Sequence, residues 1–259
     1  MASLLCLVAM AAIALLPAAV KGDNILRPWP PDCSTADNYT ANGQYKKNLD
    51  QLLAALPAAA GDSGWFYESS AGAGDDEVYG LIMCYADYNA AACQDCLSRA
   101  PAGITTVCPG SRSVRVVYDA GTLRYSDAPI LETADLTYLF RVRPVVPGVT
   151  VTLTGLEAAW APLMSKLKDG AATSPLRLAN DTAPYDGKLV MYGLAQCTRD
   201  LDGTDCSRCI GRYISLLEGL FPNNSGGVIK GYSCYLRYQV GEDFGTTLPP
   251  LTPGKHIYS

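Results

Sequence analysis

The feature that most constrains the fold is a cysteine motif that occurs twice with identical spacing. Cys84-x8-Cys93-x2-Cys96 returns as Cys197-x8-Cys206-x2-Cys209, displaced by 113 positions. Two flanking tripeptides keep the same displacement: Tyr79-Gly80-Leu81 with Tyr192-Gly193-Leu194, and Leu123-Arg124-Tyr125 with Leu236-Arg237-Tyr238. Solenoid repeats have periods of roughly 20–50 residues, so a period this long indicates a whole domain. The chain is therefore predicted to contain two similar domains in tandem.

The N-terminal segment has the pattern of a secretory signal peptide. An apolar run from Leu4 to Val20 contains Pro17 and is followed by Gly22 and Asp23. A membrane anchor needs roughly 20 apolar residues with basic flanks, and this run is shorter. We expect residues 1–22 to be a cleaved signal peptide, no membrane span elsewhere, and a mature chain that is secreted into the extracellular space.

The net charge and the cysteine content of the chain indicate which kinds of partner and which cellular compartment are compatible with it. Removing residues 1–22 takes away Lys21 and Cys6, which moves the formal charge from -5 to -6 and leaves nine of the ten cysteines. An acidic chain without a basic run is not expected to bind nucleic acid or an anionic membrane. Cysteines in an oxidising compartment are expected to form mostly disulfides. N-glycosylation sequons begin at Asn38, Asn180 and Asn223.

Periodicity predicts the same elements in both copies. Leu49, Leu52, Leu53 and Leu56 recur with helical spacing, and we expect this helix to end at Pro57. A matching helix carries Trp160, Leu163, Met164 and Leu167, displaced by 111 positions. Strand patterns and a second helix follow in each copy: strands over 77–85, 113–118, 188–196 and 228–240, and helices over 90–100 and 205–217.

These elements predict an α+β protein. We expect two tandem domains, residues 23–131 and 132–246, followed by an irregular tail over 247–259. Each domain is predicted to be an antiparallel sheet with two helices packed on one face, stapled by disulfides. The linker lies between Ser126 and Val151, and Leu136 to Val146 is a candidate first strand of the second domain.

One disulfide follows from comparing the copies. The first copy contains Cys33 and Cys108, whereas the register partner of Cys108 is Phe221 and no cysteine lies between positions 109 and 196. Two cysteines that are missing together indicate a bridge between them. We therefore predict Cys33–Cys108, with Phe221 filling the corresponding volume in the second copy.

The cysteine core, the Tyr-Gly-Leu lead-in and the Cys-x-Leu-Arg-Tyr close together resemble the ginkbilobin-homologous, or stress-antifungal, domain of land plants. The resemblance implies the further disulfides Cys84–Cys93, Cys197–Cys206 and Cys209–Cys234. Gly121 stands where that family has a closing cysteine, which leaves Cys96 as a free thiol. We expect Cys96 to be buried and inert, with a Cys96-linked dimer or a redox-sensitive thiol as alternatives.

The same resemblance implies positions for mannose binding by an Asn, an Arg and a Glu. In the first copy these positions hold Ser34, Arg115 and Ser126, so only the arginine is retained. In the second copy the last two hold Val228 and Gln239. Without the amide and the carboxylate the sugar-binding motif is incomplete, and Arg115 is expected to be an exposed strand residue.

Catalytic and metal chemistry are not expected. The chain has a single histidine, His256, in the polar tail. The Cys-x2-Cys spacings could bind zinc, but they lie in different copies of a secreted chain. The acidic groups Asp75-Asp76-Glu77 and Asp200, Asp202 and Asp205 are typical of solvated turns. We expect no cofactor, no metal and no enzymatic activity.

The sequence thus indicates a secreted plant protein that acts by recognition. The leading hypothesis is a non-catalytic protein of the apoplast that binds a partner protein or a cell-wall ligand in defence or stress responses. The alternative is a direct mannose-binding antifungal lectin.

Overall fold

The computed structural model describes residues 29–34, 38–220 and 223–247. The predicted signal peptide, the packing role of Phe221, His256 and almost all of the predicted tail lie outside these residues.

The first half forms a five-stranded antiparallel sheet with two helices. Its strands have the order β1-β4-β5-β3-β2. The elements are β1 (Trp29–Cys33), α1 (Gln44–Asp62), β2 (Phe66–Ala71), β3 (Val78–Cys84), α2 (Ala90–Val107), β4 (Val114–Val117) and β5 (Gly121–Ser126).

The second half repeats this arrangement, with strand order β6-β9-β10-β8-β7. Its elements are β6 (Tyr138–Val142), α3 (Leu153–Thr173), β7 (Leu178–Asp186), β8 (Leu189–Cys197), α4 (Gly203–Leu220), β9 (Gly226–Gly231) and β10 (Cys234–Val240). The predicted α+β class, with two antiparallel sheets and two helices for each, is confirmed.

Helix α1 shows how the apolar pattern determines packing. Leu49, Leu52, Leu53 and Leu56 are at most 4% exposed and face the first sheet. The prediction that this helix ends at Pro57 is wrong, because α1 continues to Asp62. A proline inside a helix removes one backbone hydrogen bond at a cost of roughly 3 kcal/mol. Burial of Leu56 and Ala60 on either side of Pro57 offsets that cost.

The two sheets pack against each other through the faces that do not carry helices. One apolar cluster contains Phe66, Leu81 and Met83 of the first sheet together with Leu194 and Tyr235 of the second. The rings of Tyr85 and Tyr235 contact each other at an interplanar angle of 34°, with 4.5 Å between their centroids. The order of layers is therefore helices, sheet, sheet, helices, and both faces of the central strands are buried.

Four disulfides hold the layers together: Cys33–Cys108, Cys84–Cys93, Cys197–Cys206 and Cys209–Cys234. These are the pairs that the copy comparison and the family resemblance give. Cys96 is the one described cysteine outside a disulfide.

The backbone explains why the first sheet has a glycine where the second has Cys234. A Cβ atom at Gly121 would lie 2.2 Å from the carbonyl oxygen of Met83, so a cysteine does not fit there without movement of the strand. Cys96 is 0% exposed, and burial raises the pKa of its thiol to about 12. A buried thiol of this kind argues against a Cys96-linked dimer.

Candidate functional site

The three positions of the family's sugar motif lie on one face of the first sheet. Strand pairing places Val114 opposite Tyr125, which puts Ser113 opposite Ser126. On the other side, the Ser34 amide donates to the Ser113 carbonyl oxygen at 2.8 Å. Arg115 lies two residues from Ser113 along β4, so its side chain has the same orientation. The fold therefore brings the three positions close together.

Both serines are already engaged by neighbouring backbone. The Ser34 hydroxyl oxygen accepts a hydrogen bond from the Ser113 amide at 3.0 Å. The Ser126 hydroxyl oxygen accepts one from the Ala128 amide at 3.1 Å. These hydroxyls stabilise the ends of β1 and β5.

Arg115 is held by two carboxylates and a ring. Its Nε donates to Asp32 at 3.0 Å, its Nη1 donates to Asp135 at 2.6 Å, and its guanidinium carbon lies 4.4 Å from the centroid of the Tyr232 ring. Burial alone lowers the pKa of Arg115, but Asp32 and Asp135 reverse this, and the net shift is upward. Asp135 and Tyr232 lie beyond the first sheet, so Arg115 links the two halves.

Arg115 lies in strand β4, and its guanidinium is held by ion pairs as well as being partly exposed. Its side chain is 37% exposed and its donors are directed at Asp32 and Asp135. A sugar hydroxyl would have to compete with two carboxylates for this guanidinium.

Two reciprocal ion pairs cross the interface between the sheets. Arg124 of β5 pairs with Asp200, which follows β8, and Arg237 of β10 pairs with Asp87, which follows β3, at 2.7 Å. The two arginines are 113 positions apart, as are the two aspartates. Asp87 and Asp200 are only 2% and 1% exposed. Each half thus contributes one arginine and one buried carboxylate, as expected for an approximate two-fold axis.

A buried lysine lies in the same interface. Lys230 of β9 is 3% exposed and donates to the carbonyl oxygen of Asp119 in the first half. Its Nζ lies 5.0 Å, 5.6 Å and 5.2 Å from the ring centroids of Tyr85, Tyr88 and Tyr235. Burial lowers the pKa of Lys230 to about 8, although Asp87 and Asp119 oppose this shift. Cation–π contacts and one carbonyl thus stabilise the ammonium between the sheets.

The acidic groups noted in the sequence have structural partners. The Asp75 carbonyl oxygen accepts from Arg112, and Asp205 pairs with Arg208. The Asp202 carboxylate accepts from the Asp205 amide at 2.7 Å at the start of α4. Within the described ranges, no cluster of three or more His, Cys, Asp or Glu side chains is placed to hold a metal ion. No helix in those ranges has the length and apolarity needed to cross a bilayer.

A groove of about 510 Å³ separates α1 from α2 on the outer surface of the first half. Its small and apolar lining residues include Ala54, Pro57 and Ala58 of α1 and Pro101 and Ala102 of α2. Its polar lining residues are Asp50, Gln94, Ser98 and Thr105.

The second half is more polar at the equivalent positions. By the 111-residue displacement of the first helix, the α1 positions correspond to Ser165, Lys168 and Asp169. By the 113-residue displacement, the α2 positions correspond to Ile214 and Ser215. The Lys168 Cδ lies 3.8 Å from where a Cβ atom on Gly211 would be, so the lysine side chain occupies part of the space between α3 and α4. At these five positions the first half has no charged side chain and the second half has two.

Comparison with known families explains the duplicated architecture. The sequence profile of the family described as "Salt stress response/antifungal" matches residues 32–128 and residues 154–240, one copy in each half. The chain belongs to this family. An antimicrobial ginkbilobin-2-like protein from Castanea crenata is 31% identical over 87% of this chain and 92% of its own length.

Other relatives of this salt stress response/antifungal chain are longer proteins. Cysteine-rich receptor-like protein kinase 6 from Oryza sativa subsp. japonica is 34% identical over 82% of this chain, which spans only 31% of the kinase. Cysteine-rich repeat secretory protein 1 from Arabidopsis thaliana is 28% identical over 80% of this chain and 61% of its own length. The family therefore includes secretory proteins and parts of receptor-like proteins.

Solved structures share the fold. The tandem DUF26 ectodomain of the Arabidopsis thaliana cysteine-rich receptor-like protein PDLP8 aligns with a TM-score of 0.64 at 23% identity, covering 81% of this chain and 96% of the ectodomain. The corresponding ectodomain of PDLP5 aligns with a TM-score of 0.63 at 23% identity. At this identity the likeness shows the fold alone.

Proposed function

We propose that the protein is a secreted, non-catalytic recognition protein of the plant apoplast that acts in defence or stress responses by binding a partner protein or a cell-wall ligand. The family supports the extracellular setting, because its relatives include an antimicrobial protein and a secretory protein. The first domain, residues 23–131, would supply the binding surface, and the second, residues 132–246, would support it.

The observation that carries this proposal is the difference between the outer faces of the two halves. The groove between α1 and α2 combines alanine and proline with the polar residues Asp50, Gln94, Ser98 and Thr105, whereas the second half has Lys168 and Asp169 where the first has Pro57 and Ala58. The apolar part of such a groove costs little to desolvate, and its polar residues can bond to a ligand, which favours its use in binding. Disulfides join helix to sheet within each half, and ion pairs join the two sheets. The groove therefore lies on a rigid, preorganised surface, which lowers the entropic cost of binding.

The alternative, a mannose-binding lectin, is less well supported by the same structure. Of the motif positions Ser34, Arg115 and Ser126, the serines bond to backbone and the arginine pairs with Asp32 and Asp135. Free convergent donors and acceptors, which a sugar site requires, are lacking at these described positions.

The test is affinity capture from extracellular wash fluid with matched variants. Ala54→Arg with Ala102→Arg places two charges in the groove, and Ser165→Arg with Ser215→Arg places two charges at the equivalent exposed positions of the second half. The proposal predicts that the first double variant loses a specific partner that the wild type and the second double variant both retain.

Retention of the same partners by all three proteins would contradict the proposed surface. Tight binding to a mannan resin that is lost in Arg115→Ala would instead support the lectin alternative.

A further inference from the structure

A second, smaller cleft lies at the outer edge of the second sheet. It has a volume of about 190 Å³, and its lining includes Asn180 and Thr182 of β7, Tyr192 of β8, and Phe244 and Thr246. Thr182 pairs directly with Tyr192. Directly paired residues have side chains on the same face of a sheet, and so do residues two apart on one strand. Asn180, Thr182 and Tyr192 therefore present their side chains to the same side.

The segment after β10 closes this cleft. Its last described residue, Thr247, donates its amide to the Ala86 carbonyl oxygen at 2.6 Å. The Phe244 ring lies beneath the Arg237 guanidinium, 4.3 Å from centroid to carbon. Arg237 thus holds Phe244 at the cleft, whose lining includes the aromatic residues Tyr192 and Phe244 and the threonines Thr182 and Thr246.

Asn180 lies at the edge of the cleft in a sequence that permits modification. Asn180-Asp181-Thr182 is an N-glycosylation sequon, and Asn180 is exposed on the edge strand β7. Its side-chain amide makes no hydrogen bond in the part of the chain that the structure describes. The neighbouring Asp181 pairs with Lys166 of α3, at 3.3 Å, on the helix side of the sheet.

We propose that Asn180 carries an N-linked glycan whose first N-acetylglucosamine is seated in this cleft against Tyr192 and Phe244. In the transfer step, the bond from the sugar C1 to a lipid-linked pyrophosphate donor breaks. A bond from C1 to Nδ2 of Asn180 forms, and the departing lipid pyrophosphate takes up the proton that the amide loses. The apolar face of the sugar ring would lie against the aromatic rings, and its acetamide and hydroxyl groups would bond to Thr182 and Thr246. The volume accommodates one ring, so later sugars would extend into solvent.

The chain supplies internal controls. The sequon residues Asn38 and Asn223 are exposed, and neither lines this cleft or the groove between α1 and α2. Tyr79 is the register equivalent of Tyr192 in the first sheet, and its cross-strand partner Ser70 belongs to no sequon. If the glycan on Asn180 contacts Tyr192, a substitution at Tyr79 should not change the rate at which that glycan is released.

The experiment measures release of each glycan by a peptide N-glycosidase from native protein secreted by cultured human cells, followed site by site with mass spectrometry. We expect Tyr192→Ala to accelerate release from Asn180 by about threefold to tenfold, the factor that an aromatic contact supplies. Tyr192→Phe and Tyr79→Ala should leave the rate unchanged, and denatured wild type and Tyr192→Ala should release it equally fast.

An unoccupied Asn180, or equal native release rates for wild type and Tyr192→Ala, would overturn the proposal. The proposal assumes secretion, as the proposed function does. Because the host supplies the secretion pathway and capture of a partner is not measured, failure here would leave the proposed recognition function untouched.

Discussion

The ion pair between Arg124 and Asp200 should be among the most sensitive points in the molecule. Its side chains are 10% and 1% exposed, and the pair joins the first sheet to the loop that follows β8. Replacing Arg124 by Met keeps most of the apolar stem and removes the charge. The Asp200 carboxylate would then remain in the interface without its cation.

The expected loss of stability is about 3–5 kcal/mol, the usual result of breaking a buried pair from one side. For a protein of this size that corresponds to a fall in melting temperature on the order of 10 °C. The net contribution of the intact pair is smaller, because Nε of Arg124 and Oδ1 of Asp200 are buried and make no hydrogen bond to any residue that the structure describes. Replacing both residues, as in Arg124→Met with Asp200→Leu, should therefore cost less than the sum of the single changes.

The assay is urea unfolding followed by circular dichroism, with all disulfides intact. Arg208→Met is the matched control, since Arg208 pairs with Asp205 on the exposed face of α4 and should cost less than about 1 kcal/mol. A cost below about 1 kcal/mol for Arg124→Met, equal to that of the control, would refute the view that this pair is a buried connection.

Three further results are expected. The Cys96 thiol should not react with a disulfide reagent at pH 8 until urea is added, because it is buried and its pKa is raised to about 12; rapid reaction of the native protein would contradict its burial. Desolvation, reinforced by the negative charge of Asp200, raises the pKa of the exposed Glu68 from 4.5 to about 7, so the small contribution of Glu68 to stability should be lost as pH rises through that window. Glu68→Gln should make the free energy of unfolding depend less on pH between pH 5 and 7. An unchanged pH dependence would count against the raised pKa of Glu68. Arg115→Ala should not change how much protein a mannan resin retains, and it should lower the free energy of unfolding by no more than about 1 kcal/mol. A loss of binding to the resin would favour a sugar site.

The repeated cysteine spacing was sufficient to predict the tandem architecture, because disulfide positions tolerate little change in geometry. The helix pattern at Leu49 to Leu56 was equally reliable, since burial of one stripe decides helix packing. The end of α1 at Pro57 was predicted incorrectly because tertiary burial outweighed a local backbone rule.

The edge strands β2 and β7 were missed for a local reason. β2 contains Glu68 and Ser70, and β7 contains Asp181 and Pro184, residue types that are depleted in strands. Both strands lie at the outer edge of a sheet, where such residues are tolerated because one side needs no partner.

The interface between the sheets was also missed, although the sequence contained a signal for it. β3 is apolar at consecutive positions, and Leu81, Ile82 and Met83 are all at most 1% exposed. Consecutive burial indicates a strand covered on both faces, and in this protein the second sheet provides the second cover. The pairing of Arg124 with Asp200 could not be predicted from the sequence. The displacement of 113 positions shows which residues are equivalent in the two copies, but it does not show which residues contact each other.

The most direct test of the account is differential scanning calorimetry of the purified protein. If the two repeats form one body through the inter-sheet core and its ion pairs, they should unfold in a single transition whose calorimetric and van't Hoff enthalpies agree. Arg124→Met should move that whole transition to lower temperature. Two resolved transitions, one for each repeat, with the Arg124 substitution shifting neither, would contradict the claim that the interface makes the tandem repeats a single preorganised unit.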